Sequence, residues 1–400
     1  MKITINNNFI YKLFLLSVMV GNTIAIAFAK PLEMNPRNFS IPYRIFVIVF
    51  SLFIIYRERK NISFKNIPII SLVGFWVFYI IKLIYSFNNY SFNQEIMQSE
   101  NEYIFRILFL VLLPSIALLC INYSKIDFKS IAKYSVTILC GLLVVNYIYG
   151  YIKLDHIFST YYIMYGHIGA SLFIISLFLL LFCRDDYKSY FLFFCLFLGL
   201  FNVIQSMARS PIVAISVCSL YMIILKGNKK YIIYALISML LFIGLVILHE
   251  QYGNGAITSF NRMYKWIAHG DTSSRGPLFS RAIEIFNSNR LLGGRILFED
   301  GAHPHNIFLE LLMGTGILGL FIYFLKFVPV VKNAALFWNI QKGNIYYKLI
   351  FALFLQYFTL VQTSCNLFNI PEFLYFSSMI IGIGYTAKHR KFKKDIDKSI

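Results

Sequence analysis

The sequence predicts an all-α polytopic membrane protein of about twelve transmembrane helices, and three observations carry that expectation. Its 400 residues are 58% hydrophobic and only 14% charged, where soluble domains carry about 25% charge. The apolar residues gather into runs near the ~20 residues that take a helix across ~30 Å of hydrocarbon. Between those runs, basic residues concentrate in alternate gaps, the signature of membrane orientation.

The runs occupy residues 9–29, 41–56, 67–86, 104–122, 131–152, 161–183, 189–206, 210–226, 231–249, 305–325, 346–364 and 367–387. The weakest is 41–56, where Arg44 has to reach toward the headgroups from a helix end. None shows the alternation of a barrel strand, so a helix is the spanning form. Ala27, Phe28 and Ala29 resemble a cleavage site, so the first run also reads as a signal peptide, leaving eleven spans in the same orientation. One membrane domain over 1–400 accounts for the whole chain.

Orientation follows from the gaps. Clusters such as Arg57, Arg59, Lys60 and Lys65, or Lys388, Arg390, Lys391, Lys393 and Lys394, fall in one set, which holds most of the 37 basic residues. The other set holds most of the 18 acids. Both termini are therefore expected in the cytoplasm. The net charge of +19 is dispersed among these gaps, which argues against nucleic acid as a partner and for the bilayer. The six cysteines, Cys120, Cys140, Cys183, Cys195, Cys218 and Cys365, lie in or beside apolar runs with no CxxC spacing, so neither disulfides nor zinc are expected.

One connection stands apart. Residues 250–304 form an outer loop of 55 residues, and loops beyond ~15 residues are usually functional or disordered. Pro277 can open a helix, and Leu278, Phe279, Ala282, Ile285 and Phe286 then recur at helical spacing opposite Ser280, Arg281, Glu284 and Asn287. An amphipathic helix over about 277–290, lying on the outer membrane surface, is the prediction. Gly293 and Gly294 stop it. The loop's cations, Arg262, Lys265, Arg275, Arg281, Arg290 and Arg295, are nearly balanced by Glu250, Asp271, Glu284, Glu299 and Asp300. Glu299 and Asp300 read as a solvated turn, and no DxD stands on the outer side.

Two positions invite chemistry. The loop ends in His303, Pro304, His305 and Asn306, where the next span begins. An imidazole at the mouth of a helix bundle can accept a proton near neutral pH, or merely cap the helix. Arg209 sits in a five-residue outer turn, Ser206 to Ser210, against the positive-inside bias. A guanidinium fork there suits phosphate oxygens, or anchors the hairpin at the headgroups.

Ser206 to Pro211, the stretch from Ser274 and Arg275 to Gly294, and above all His305–Asn306, nine residues, Gly316, two residues, Gly319 resemble the O-antigen ligase and O-antigen polymerase superfamily. The HNxxLE form, His305, Asn306, Leu309 and Glu310, fits as well. The resemblance implies a glycosyltransferase C-like membrane fold with one large periplasmic loop, in the bacterial inner membrane. It implies a glycan donor on undecaprenyl pyrophosphate, a lipid-linked or lipid A core acceptor, and a chain-length regulator or flippase as further partners. By resemblance Arg209 and Arg275 bind the pyrophosphate and His305 is the base, with Asn306, His303 and Arg281 as supporting residues. The family's Gly-x-Gly after the loop helix here reads Gly293, Gly294, Arg295.

These residue types suit the reaction. A sugar hydroxyl attacks the anomeric carbon as the pyrophosphate leaves, so the site must take one proton and steady growing negative charge. With arginines on the pyrophosphate neither metal nor cofactor is needed. A polymerase and a ligase share this donor and chemistry. A transporter of lipid-linked glycans would need inverted repeats with broken spans, and Pro114 and Pro211 do not correspond.

Overall fold

A computed structural model describes residues 7–59, 66–92, 99–153, 157, 162–206, 208–228, 230, 233, 244, 247–248, 261, 264–265, 268, 275–363, 367 and 370–396. The span expected over 231–249, the first half of the long loop with Arg262, and Cys365 lie largely or wholly outside these residues. The described chain is helix, turn and loop, with no strand among the described residues.

The helices are α1 (Asn7–Leu16) and α2 (Asn22–Ala27), joined by a π-helical turn; α3 (Arg37–Glu58); α4 (Ile67–Asn89); and α5 (Glu100–Phe105), joined through a second π turn to α6 (Leu113–Cys120). Then follow α7 (Phe128–Lys153), α8 (Tyr162–Phe182), α9 (Ser189–Gln205), α10 (Arg209–Lys226), α11 (Arg275–Ser288) and α12 (Ile307–Leu325). The last are α13 (Val328–Lys332), α14 (Ala335–Trp338), α15 (Tyr346–Val361) and α16 (Pro371–Ile396). Among the described residues eight helices are long and apolar enough to cross a membrane. The runs 189–206 and 346–364 form the shorter apolar helices α9 and α15, and 367–387 falls on α16, which is not among the eight. Arg44 lies about two turns inside α3 rather than at a helix end, because the helix already starts at Arg37.

The chain forms two compact units, interleaved in sequence. The first comprises Met1–Ile45, Asp127–Thr272 and Ala335–Leu360. Its centre is the pairing of α8 with α9, onto which α7 and α10 pack. Apolar burial drives little association between helices in lipid, so close backbone approach matters more. At this crossing a Cβ on Gly169 would meet the Gly199 carbonyl at 2.9 Å, and one on Gly199 the Gly169 carbonyl at 2.8 Å. The outer face of α9 presents Phe193, Phe194, Phe197 and Phe201, all exposed, while Leu192, Cys195 and Val203 are buried. That inversion suits a lipid solvent.

The second unit comprises Phe46–Ile126, Ser273–Ala334 and Val361–Ile400. Its core pairs α4 with α12. Phe75, Trp76, Tyr79 and Tyr323 are all fully buried there, with the Phe75 and Tyr323 rings 4.8 Å apart edge to face. α16 packs on α6 and α13, and α11 on α12.

Candidate functional site

The entry to α12 is built from local chemistry. Asn306 caps the helix: its Oδ1 accepts the N–H groups of Phe308 and Leu309, each at 3.1 Å, satisfying two of the donors a helix start leaves open. Its Nδ2 donates to the Gln362 carbonyl at 3.5 Å. Just before it, His305 has φ of 53°. A left-handed non-glycine residue costs roughly 1–2 kcal/mol, and such strain concentrates at functional positions. Pro304 and the Asn306 cap hold it from either side.

The His303 and His305 rings lie 4.3 Å apart. His303 Nε2 is buried without a hydrogen-bond partner among the described residues. Burial, and then the charge of neighbouring His305, pull the His303 imidazole down to about 3. His303 is therefore neutral at physiological pH and packs against His305 as an uncharged ring.

The turn that delivers the two histidines is fixed by charge and by packing. Phe298 is fully buried with Ala282 and Met313, and Leu278, Ile285, Ala302 and Leu309 pack around them. Three of the five residues read as a membrane-facing stripe on the loop helix, Leu278, Ala282 and Ile285, thus face protein. Arg281 lies over the Phe298 ring at 4.4 Å and pairs with Glu299 and, at 3.1 Å, with Asp300. Arg295 pairs with Glu299 from the other side. Hydrogen bonds from Arg295 and Arg281 bring the Glu299 carboxyl down to about 2. Burial pushes Asp300 up, but the Ala302 N–H and Arg281 outweigh it and hold that carboxyl below its usual range. The pair read as a solvated turn is a paired one, and the Arg281 guanidinium is engaged there.

A further set of contacts was not legible in the sequence. Gly316, with φ of 64° and ψ of −165°, interrupts α12 near its middle. The tail of the loop helix fills the break: Gly294 N–H donates to the Met313 carbonyl at 2.8 Å, and Ile317 and Leu318 N–H donate to the Arg290 and Leu291 carbonyls at 3.0 and 3.1 Å. A Cβ on Gly316 would overlap the Leu291 carbonyl, and one on Gly293 would come within 2.6 Å of the Thr315 nitrogen. From α4, Lys82 Nζ donates to the Gly293 carbonyl at 2.9 Å, and Ser86 Oγ accepts the Ile296 N–H at 3.2 Å. Glu310, one turn into α12 and 1% exposed, accepts the Leu367 N–H at 2.9 Å and the Tyr79 hydroxyl at 3.4 Å.

The remaining two candidates lie on helices. Arg209 is the first residue of α10 rather than part of a turn, with Ala208 at its N-cap, because Pro211 suits the first helical turn. Arg275 lies on α11, two residues before Pro277. Arg209 belongs to the first unit, and Arg275, Arg281, His303, His305 and Asn306 to the second.

No curated protein and no solved structure matches the chain. Residues 193–324 match the family model described as O-antigen ligase, a stretch that contains Arg209, Arg275, His303, His305, Asn306, Gly316 and Gly319. Over that stretch, about a third of its length, the chain is similar to the O-antigen ligase family.

Proposed function

We propose that this protein is a bacterial inner-membrane glycosyltransferase that polymerises a surface polysaccharide. It transfers a glycan from an undecaprenyl-pyrophosphate donor to a lipid-linked repeat unit at the periplasmic face, with both termini in the cytoplasm. The acceptor hydroxyl oxygen bonds to the anomeric carbon, the carbon–oxygen bond to pyrophosphate breaks with its electron pair on the leaving oxygen, and His305 takes the hydroxyl proton. Arg209 and Arg275 hold the pyrophosphate, so the reaction needs no metal. In support, Arg209 is the first residue of α10, and the positive N-terminal end of a helix suits an anion.

The observation that carries the reading is His305 itself, held in a strained left-handed conformation between Pro304 and the capping Asn306, inside the matched stretch. A second reading, transfer to lipid A core by a ligase, is favoured by the description of the matched family. His305→Ala is the test. Glycan assembly should fall by about 10²-fold or more while protein level and binding of the lipid-linked donor persist. Normal assembly in that variant removes the enzymatic reading. Deletion then separates the two enzymes on a surface-polysaccharide gel: core carrying one repeat unit marks a lost polymerase, and unsubstituted core with polymer left on its carrier marks a lost ligase.

A further inference from the structure

Where α9 turns into α10, the first unit gathers polar side chains that the proposed chemistry does not use. Tyr147 and Tyr165 approach hydroxyl to hydroxyl at 2.9 Å. The Tyr147 hydroxyl lies 3.0 Å from Gln205 Oε1 and 3.3 Å from Asn202 Oδ1, and the Tyr165 hydroxyl 3.3 Å from Gln205 Oε1. Asn202 Nδ2 donates to the Tyr165 carbonyl at 2.6 Å. Asn146, beside Tyr147 in α7, is 1% exposed; its Oδ1 accepts the Ile157 N–H at 3.0 Å.

The hydrogen-bond accounting does not close. Tyr147 has one proton and two amide oxygens within reach, so one of its two contacts is always unmade. The amide nitrogen of Gln205 donates to nothing among the described residues. A polar lock between helices in lipid is favoured by mutual satisfaction, and a buried donor left open costs about 1–3 kcal/mol. This cluster keeps donors and acceptors open together, and it contains no charged group. The Tyr147 ring supplies an aromatic face, packed 5.5 Å from the lipid-facing Phe201 ring. Hydroxyl and amide groups beside an aromatic face match a ring with C–H surfaces and hydroxyl or acetamido substituents.

The cluster is also tied to Arg209. Ser206, next to Gln205, caps the turn through its Oγ, which accepts the Ala208 N–H at 3.4 Å. The start of α8 presses on the same turn, so that a Cβ on Gly166 would meet Ser206 Oγ at 2.5 Å and Pro211 Cγ at 2.7 Å. The geometry points to a subsite for an uncharged sugar ring, formed by Tyr147, Tyr165, Asn202, Gln205 and Asn146 beside the turn that carries Arg209. The inference rests on the pyrophosphate reading of Arg209, and the ring is the sugar joined to that pyrophosphate.

The test uses the full chain in lipid nanodiscs and two probes, undecaprenyl pyrophosphate and the same lipid carrying one N-acetylglucosamine. Wild type should bind the sugar-bearing lipid about tenfold more tightly than the bare one. Gln205 is exposed, so Gln205→Ala should keep the fold; it should abolish the preference, with affinity for the bare lipid within about twofold and melting temperature unchanged. Tyr147→Phe, which keeps the ring, should lose about threefold of the preference. A wild type without preference overturns the subsite, and so does a Gln205→Ala variant that keeps it, whether or not melting falls. The bare lipid judges the other reading separately: if wild type or Arg209→Ala shows that the pyrophosphate is not held there, that reading fails whatever the preference shows.

Discussion

The turn into α10 and the turn into α12 each carry a candidate residue, yet they are restrained by different means. Around Arg209 the restraint comes from neutral side chains on continuous helices: phenols, amides and a serine Oγ, with a small-residue crossing between α8 and α9 beneath them. Around His305 it comes from backbone: a left-handed residue, a helix interrupted at Gly316, loop amides inserted into the interruption, and a ring of paired charges on the turn before it. Side-chain restraints loosen by degrees. Backbone restraints either form or fail.

The sharpest way to break this contrast is at the interruption. Gly316→Ala places a Cβ on the Leu291 carbonyl at a positive φ and should cost about 3 kcal/mol or more. Thermal melting of the purified protein should show it, or the folded protein should not be recovered. Gly74 in α4 has nothing within 4 Å of its Cβ position. Gly74→Ala should be neutral or stabilise by up to about 1 kcal/mol. Equal effects at the two glycines would remove the claim that backbone holds the α12 entry.

Next comes pH. The His303 imidazole is held near 3 when folded, below its unfolded value, so its neutral form is the folded one. Stability from this site is complete above about pH 6.5 and is lost as pH falls toward 3; between pH 7 and 5 the loss is about 2 kcal/mol. Melting curves should show that slope in wild type and a flatter one in His303→Asn. The tyrosine and amide cluster has no group that titrates in this range, so Gln205→Ala should leave the slope alone. The smallest effect belongs to Arg281. Its partners are half exposed, so Arg281→Met should cost under about 1 kcal/mol, and high salt should erase most of the difference. A much larger loss would mean that the charge ring, rather than the backbone, fixes the turn.

The sequence made parts of both regions legible. The apolar runs located α10 and α12, and Asn306 ahead of Ile307 and Phe308 marks a helix start. Pro277 with Leu278, Ala282 and Ile285 marks α11, whose bounds are Arg275–Ser288. What hydropathy does not register is backbone conformation. Gly316 stood in the sequence only as part of a family motif, since nothing in a run of apolar side chains reports a φ of 64° in its middle. Arg281 was placed on the polar face of its helix, but Glu299 and Asp300 meet it only because the chain doubles back through Gly293 and Gly294. Gln205 and Asn202 were read simply as the end of a span. Their convergence with Tyr147 and Tyr165 depends on three helices packing in one register.

The interruption in α12 also bears on how this segment enters a bilayer. On either side of Gly316 the helix runs about nine residues, roughly 14 Å, less than half the hydrocarbon thickness. The amides of Ile317 and Leu318 find their acceptors only in residues synthesised before the helix itself. Lipid offers no substitute for those carbonyls. By hydropathy the segment is a complete membrane crossing, but as a unit of insertion it is two half-helices whose joint is closed by the preceding loop, so its biogenesis waits on tertiary folding.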